Sequence, residues 1–338
     1  MNLACPWTLL LSAALALMAQ PAYAETAAPS LLADAALPGG LCVHLGCGDG
    51  AMTAALRGDG RFLVHGLDAD PARVDQARRF LQSRGVYGQA WVEVLDGSRL
   101  PYAENLVNLL VVDAAAAPAT PLADIARVVC PNGVVYVGAD APAAGNAAAD
   151  AVIGRMEQAG MRGSEVVRLG GTWVRWRKPW PADMDEWGHP RHGPDGNAAS
   201  GDRLVGPPRR IRWVAGPMHE ASNAVTAGGR FFHAGLIARD AFNGLRLWQK
   251  PIEPAPLRLG YPATAAAGSV LPVAAGDRVY VVHAGKLEAL DAATGLSVRV
   301  YGKAGSTRHI LCAGGMLVAV GADSVRAFDA AGGALRWT

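Results

Sequence analysis

The stretch VHLGCGDGAMTAAL, residues 43–56, decides how this chain is read. An apolar run enters it, glycines follow at alternate positions, and Ala-rich, helix-forming sequence leaves it. Gly46, Gly48 and Gly50 thus fall between a predicted strand and a predicted helix. There, bare backbone lets a ligand approach closely and the first helical N–H groups point at it. The spacing is GxGxG, not the GxGxxG of dinucleotide-binding turns.

Outward from that turn, residues 41 to about 176 alternate apolar strands with amphipathic helices, which predicts βαβ units and a parallel sheet. LCVHL is the first strand, FLVHGLD (62–68) the second, AWVEVLD (90–96) the third and NLLVVDA (108–114) the fourth. GVVYVGA (133–139) is the fifth, after a predicted turn at Pro131-Asn132-Gly133. PARVDQARRFLQSRG, PLADIARVVC and AADAVIGRMEQAG read as helices between or after them, and residues 25–38 as a short lead-in helix. EVVRL and TWVRWRK, joined by Gly170-Gly171, form a predicted hairpin that closes the sheet with an antiparallel pair. Two strand-tip carboxylates stand out. Asp68 is placed to accept hydrogen bonds from ribose hydroxyls, and Asp96 to hold an adenine amino group.

These residues resemble the successive motifs of class I S-adenosylmethionine-dependent methyltransferases over about residues 39–177. The resemblance rests on Gly46–Gly50, Asp68, the run DGSRLPYAENLVNLLVVD (96–113) and RVVCPNGVVYV (127–137). It implies S-adenosylmethionine as cofactor. Gly46, Gly48 and Gly50 would line its methionine and ribose portion, Asp68 the ribose, and Asp96 with Gly97 the adenine. Asp113 would lie near the methyl acceptor, which stays unidentified. The pattern departs from the family at His44, where an acidic residue usually stands two before the first glycine. His44 is either a neutral donor or a buried strand residue. No Asn-Pro-Pro-Tyr motif or cysteine nucleophile marks an acceptor site, and methyl transfer needs mainly in-line positioning.

Residues 179–212 change character. PWPADMDEWGHPRHGPDGN and the residues after it, up to 212, are dense in Pro and Gly without a period, as in a linker or long ordered loop. Asp185, Glu186, His189, His192, Asp195 and Asn197 are metal-capable, and His189-x-x-His192 fits a zinc or iron site; the other reading is a polar loop with Trp187 packed beneath. A similar segment accompanies proteins that join a methyltransferase-like domain to a propeller.

From residue 213 a repeat begins. Residues 227–249, 274–301 and 312–338 each run through a Gly turn, a β-rich run, a short strand ending in Asp240, Asp291 or Asp329, and then Gly244, Gly295 or Gly333 four residues on. Successive Asp residues are 51 and 38 positions apart, the spacing of propeller blades at about 40 residues each. Trp248 and Trp337 are expected to sit between neighbouring blades. The repeats resemble those of pyrroloquinoline-quinone dehydrogenases and of the outer-membrane assembly propeller lipoprotein. Neither an adjacent-cysteine pair nor a calcium-ligand set accompanies them, so a quinone cofactor is not expected. About three blades are present, an incomplete propeller by this reading. The expected fold is a Rossmann-like, doubly wound α/β sheet over 25–178 followed by an all-β partial β-propeller over 213–338.

Residues 1–24 read as a signal peptide, with the apolar run TLLLSAALALMA and Ala22-Tyr23-Ala24 ahead of Glu25, although the n-region lacks Lys and Arg. The competing reading is a membrane anchor, for which the run is short. Export to the periplasm or beyond is the expectation. Cys42, Cys47, Cys130 and Cys312 remain, as buried hydrophobes or with Cys130 bridged to Cys42 or Cys47. With 31 Lys plus Arg against 29 Asp plus Glu there is no basic footprint for nucleic acid. Two functions compete: a methyltransferase whose acceptor is presented by the propeller, and a non-catalytic exported scaffold binding protein or polysaccharide.

Overall fold

The structure, a computed structural model, describes residues 27–96, 99–114, 116, 121–139, 146–207, 211–214, 224–233, 236–250 and 270–338. The proposed signal peptide and Gly97 lie outside these residues. The chain divides into two compact units after Pro179.

The first unit is one seven-stranded sheet with helices. Its strands are β1 (Gly40–Leu45), β2 (Phe62–Asp68), β3 (Ala90–Val94), β4 (Val107–Val112), β5 (Val129–Gly138), β6 (Glu165–Arg168) and β7 (Thr172–Arg177), in the order β3-β2-β1-β4-β5-β7-β6. β1 to β5 are parallel, and β7 pairs antiparallel with both β5 and β6. β1 and β4 are buried at every position, the continuous apolar signature of strands covered on both faces. The strand order reverses between β1 and β4, and in such sheets the crevice beyond the carboxyl ends at that reversal is where ligands bind.

The helices are α1 (27–35), α2 (Ala51–Ala55), α3 (Pro71–Ser83), α4 (Leu122–Val128) and α5 (Asn146–Gln158). Asp70 starts α3 by accepting from the Ala72 amide at 2.9 Å, with Pro71 in the first turn, and Val74, Ala77 and Leu81 form its buried face. α1 is tied to the sheet: Tyr136 Oη donates to Asp34 Oδ2 at 2.5 Å and Arg175 Nη1 to Asp34 Oδ1 at 2.6 Å. Pro131-Asn132-Gly133 does not precede the fifth strand as expected; it lies inside β5. Partners shift from Val107–Val129 to Leu109–Val134, so extra residues loop out as a bulge with Asn132 at φ +64°. The amides of Asn132 and Lys178 keep β5 and β7 paired across it.

Among its described residues, the second unit forms three four-stranded antiparallel sheets, the blades of a partial propeller. They are β8 (Val225–Ala227), β9 (Arg230–His233), β10 (Ile237–Asp240) and β11 (Arg246–Gln249); β12 (Val273–Ala275), β13 (Arg278–His283), β14 (Lys286–Asp291) and β15 (Ser297–Lys303); and β16 (His309–Ala313), β17 (Met316–Val320), β18 (Val325–Asp329) and β19 (Leu335–Trp337). The Asp-x-x-x-Gly turn closes identically in each. The Gly244, Gly295 and Gly333 amides donate to the Asp240, Asp291 and Asp329 carbonyls at 2.8–2.9 Å. Each Asp Oδ1 also accepts from turn amides, such as Phe242 at 2.9 Å and Thr294 at 2.8 Å. Trp248 lies on Gly295 of the next blade and donates to the Ala292 carbonyl at 3.0 Å. Trp213 does the same one step earlier, on Gly244 with the Ala241 carbonyl at 3.2 Å. Trp337, expected between blades, is instead 48% exposed, because no further glycine turn faces it among the described residues.

Within 179–212, residues 187–189 form a strip along the first strand of all three blades. Trp187 exchanges hydrogen bonds with Thr226 in β8, the Gly188 carbonyl accepts from Ala274 in β12 at 2.8 Å, and His189 Nε2 accepts from Cys312 in β16 at 3.1 Å. What composition marks as a linker is an ordered part of the repeat unit.

Candidate functional site

β1 ends at Leu45, and the chain turns at once. The amides of Gly46 and Cys47 both donate to the Leu67 carbonyl of β2, at 2.8 and 3.2 Å, which pins the turn over the neighbouring strand. Gly50 starts α2 from a left-handed conformation, and Asp49 Oδ1 accepts from the Ala51 amide at 2.9 Å. The glycines do different work. A Cβ on Gly46 would lie 2.8 Å from that of Ala116, and one on Gly50 would lie 3.0 Å from Ala77, so both are required by protein packing. Gly48, at φ +52°, would meet only the Gly46 carbonyl at 3.9 Å and leaves its surroundings open.

Asp68 is buried and turns into this loop: Oδ2 accepts from the Gly48 amide at 3.2 Å and Oδ1 from Asp70 at 3.0 Å. A carboxylate has about four acceptor sites, so two remain for hydroxyls. The Asp68 carbonyl accepts from Leu95 at 2.8 Å, which brings the end of β3 alongside. Asp96 comes directly after, but its side chain is exposed and forms no hydrogen bond among the described residues. The strand stops two residues before it, and its backbone position alone links Asp96 to the turn.

Asp113 comes just after β4, its amide donating to the Leu45 carbonyl at 2.9 Å, so it stands beside Gly46 across the reversal point. Its side chain is 35% exposed. His44 is closed off from solvent; Nδ1 bonds Thr53 Oγ1 at 2.8 Å, and Nε2 lacks a hydrogen-bond partner and lies 3.8 Å from Asp113 Oδ2. The sequence alone leaves His44 between a donor and a core residue, and does not link it to Thr53 or Asp113. The signal available is one polar ring in an otherwise apolar strand.

Cys47 sits in the turn as a protonated thiol. Burial first, then the charge of Asp68 with smaller pushes from Asp113 and Asp49, raise it to about 12. Cys42, Cys47, Cys130 and Cys312 form no disulfide, so neither bridge considered for Cys130 forms. The LPY segment is held by α4: Leu100 donates to Asp124 Oδ2 at 2.5 Å, and Arg127 reaches the Tyr102 and Leu100 carbonyls at 2.7 and 3.2 Å. Tyr102 Oη in turn lies 2.7 Å from Nδ1 of buried His65, which stacks on Trp91. Burial lowers the His65 pKa despite Glu93 nearby. These contacts hold the loop in place.

His189 and His192 are not brought together as ligands. Their backbones pair with each other, but His189 accepts from Cys312 and His192 Nε2 lies 2.9 Å from Asp185 Oδ2. Asp185 also accepts from the Gly201 and Glu186 amides and from Ser200, which hold its carboxyl below the usual range. Among the described residues no group of three His, Cys, Asp or Glu side chains is arranged to hold a metal ion. Nor is any helix among them long and apolar enough to cross a membrane.

This geometry resembles a methyltransferase-type Rossmann domain followed by propeller-type repeats. The comparisons agree: residues 43–133 match the family model described as a methyltransferase domain, and residues 233–338 that described as outer membrane protein assembly factor BamB. Similar solved structures include three from named organisms. A protein of Methanococcus maripaludis, provisionally assigned as an S-adenosyl-L-methionine-dependent methyltransferase, is 16% identical, with 48% of this chain and 88% of that one covered and a TM-score of 0.40. A SAM-dependent methyltransferase from Aquifex aeolicus is 19% identical, with 46% and 89% covered and a TM-score of 0.37. The YcgJ protein of Bacillus subtilis is 13% identical, with 45% and 99% covered and a TM-score of 0.32. No curated protein matches the chain.

Proposed function

We propose that the first unit binds S-adenosylmethionine at the mouth of the Gly46–Gly50 turn and passes its methyl group to an acceptor. The observation that carries this is the Asp68 carboxylate turned into the glycine loop at the carboxyl end of β2, beside the strand-order reversal. Open space at Gly48 and the spare acceptor sites of Asp68 suit a ribose. In this reading Gly46, Gly48 and Gly50 shape the loop, Asp68 takes the ribose hydroxyls, and Asp96 with Gly97 takes the adenine edge. The bound sulfonium would supply the electrophilic methyl; the chain's part is to orient it and keep the acceptor in line. Titration calorimetry of the purified chain should give binding of S-adenosylmethionine or S-adenosylhomocysteine, and Asp68→Ala should weaken it at least about tenfold, the worth of a lost charge-assisted pair of hydrogen bonds. No heat at millimolar ligand overturns the reading.

One observation favours a second reading, an exported scaffold whose repeats bind protein or polysaccharide. Asp68 already satisfies the loop's own amides at Gly48 and Asp70, so the turn is stable without a ligand. Export, read from residues 1–24, also separates the chain from cytoplasmic S-adenosylmethionine.

A further inference from the structure

Three carboxylates surround the glycine turn, and they are not equivalent. Asp49 is committed to the Ala51 amide, and Asp68 to the Gly48 and Asp70 amides. Asp113 forms no hydrogen bond through its carboxylate among the described residues, although it is partly exposed at the crevice. Behind it lies the buried, unpartnered Nε2 of His44 at 3.8 Å. A ring nitrogen facing a carboxylate is favoured as N–H, so the proton belongs on Nε2 and Nδ1 accepts from the Thr53 hydroxyl. The His44 Nε2–H is then aimed at Asp113. The ring itself is closed to solvent, so a ligand can touch the carboxylate and not the histidine.

Charge decides which part of the ligand Asp113 meets. An adenosyl amino acid has a neutral adenosine at one end, and at the other an amino-acid tail whose α-ammonium is the group a carboxylate can pair with. Asp68 stands on the β2 side of the turn and Asp113 on the β4 side, each with a glycine of the turn as neighbour. Resting on the proposed binding of S-adenosylmethionine, we propose that Asp113 is the counter-charge for the ligand's α-ammonium, with His44 as the residue that positions it. This replaces the acceptor-side role expected for Asp113 from sequence. His44 stands on β1 two residues before the first glycine, and the carboxylate it faces lies at the tip of β4.

The test is calorimetric titration of the full chain with two probes. S-adenosylhomocysteine carries the amino-acid tail, and 5′-methylthioadenosine has the same adenosine and thioether without it. Asp113→Asn should weaken S-adenosylhomocysteine about tenfold or more and leave methylthioadenosine within about twofold. His44→Phe should give a smaller loss confined to S-adenosylhomocysteine. Unchanged S-adenosylhomocysteine affinity in Asp113→Asn, or equal weakening of both probes, overturns the assignment while leaving the proposed function standing. If the wild-type chain binds neither probe, the proposed function itself fails and this inference with it. Should Asp113→Asn not fold, the ligand can be altered instead: S-adenosylhomocysteine lacking its amino group should bind the wild-type chain about tenfold more weakly, and equal binding overturns the proposal.

Discussion

His189 accepts a hydrogen bond at Nε2 from the Cys312 amide, which the ring can do only when that nitrogen is unprotonated. Burial lowers its pKa, opposed by the charge of Asp195. With the folded value below the unfolded one of about 6.5, the unfolded chain binds more protons between the two, so stability rises with pH there. The contribution is complete above about pH 6.5 and is lost as pH falls from there toward the lowered folded value. The thermal unfolding midpoint of the wild-type chain should therefore fall as pH drops from about 7 to 5, and His189→Gln, which keeps an acceptor but cannot titrate, should flatten part of that slope. Identical slopes would refute it. His65, lowered for the same reason, contributes in the same direction in the first unit.

At the scale of elements, the blade turns carry the clearest mechanical demand. Gly295 has φ +71° and lies under the Trp248 ring, where an added Cβ would come within 2.7 Å. Gly276 has a similar φ of +59° with nothing within 4 Å. Alanine at Gly276 should cost only the left-handed backbone term, about 1 kcal/mol, and at Gly295 that plus displacement of the indole, about 3 kcal/mol. Denaturant midpoints of the two variants distinguish them, and equal losses would mean Trp248 gives way freely. The Asp-x-x-x-Gly turns were legible because each is encoded within five residues. The parallel strands were legible because burial on both faces leaves an unbroken apolar run. Pro131-Asn132-Gly133 misled because a bulge and a turn demand the same residue types; only the pairing with the partner strand β4 decides between them. At the candidate site the glycines and Asp68 were visible in order. The link from His44 to Thr53 and Asp113 was not, since it depends on which side of α2 faces β1, a matter of packing across 9 and 69 positions that no periodicity records.

For the molecule as a whole, the first 24 residues bear on where the proposed methyl transfer would take place. If they direct export, the mature chain begins at Glu25, and intact mass measurement on protein recovered from the periplasm or medium should show it; a full-length mass confined to the cytoplasm would overturn export. The strip at 187–189 has a consequence of its own for how the repeats come together. It is made before any blade during synthesis, so each later blade meets a partner already waiting. The chain closed by the Trp187–Thr226 pair spans 39 positions and that closed by His189–Cys312 spans 123. Because loop closure grows only with the logarithm of length, the longer closure costs about 1 kcal/mol more than the shorter. Blades can therefore be added in order along one short template at little extra entropic penalty.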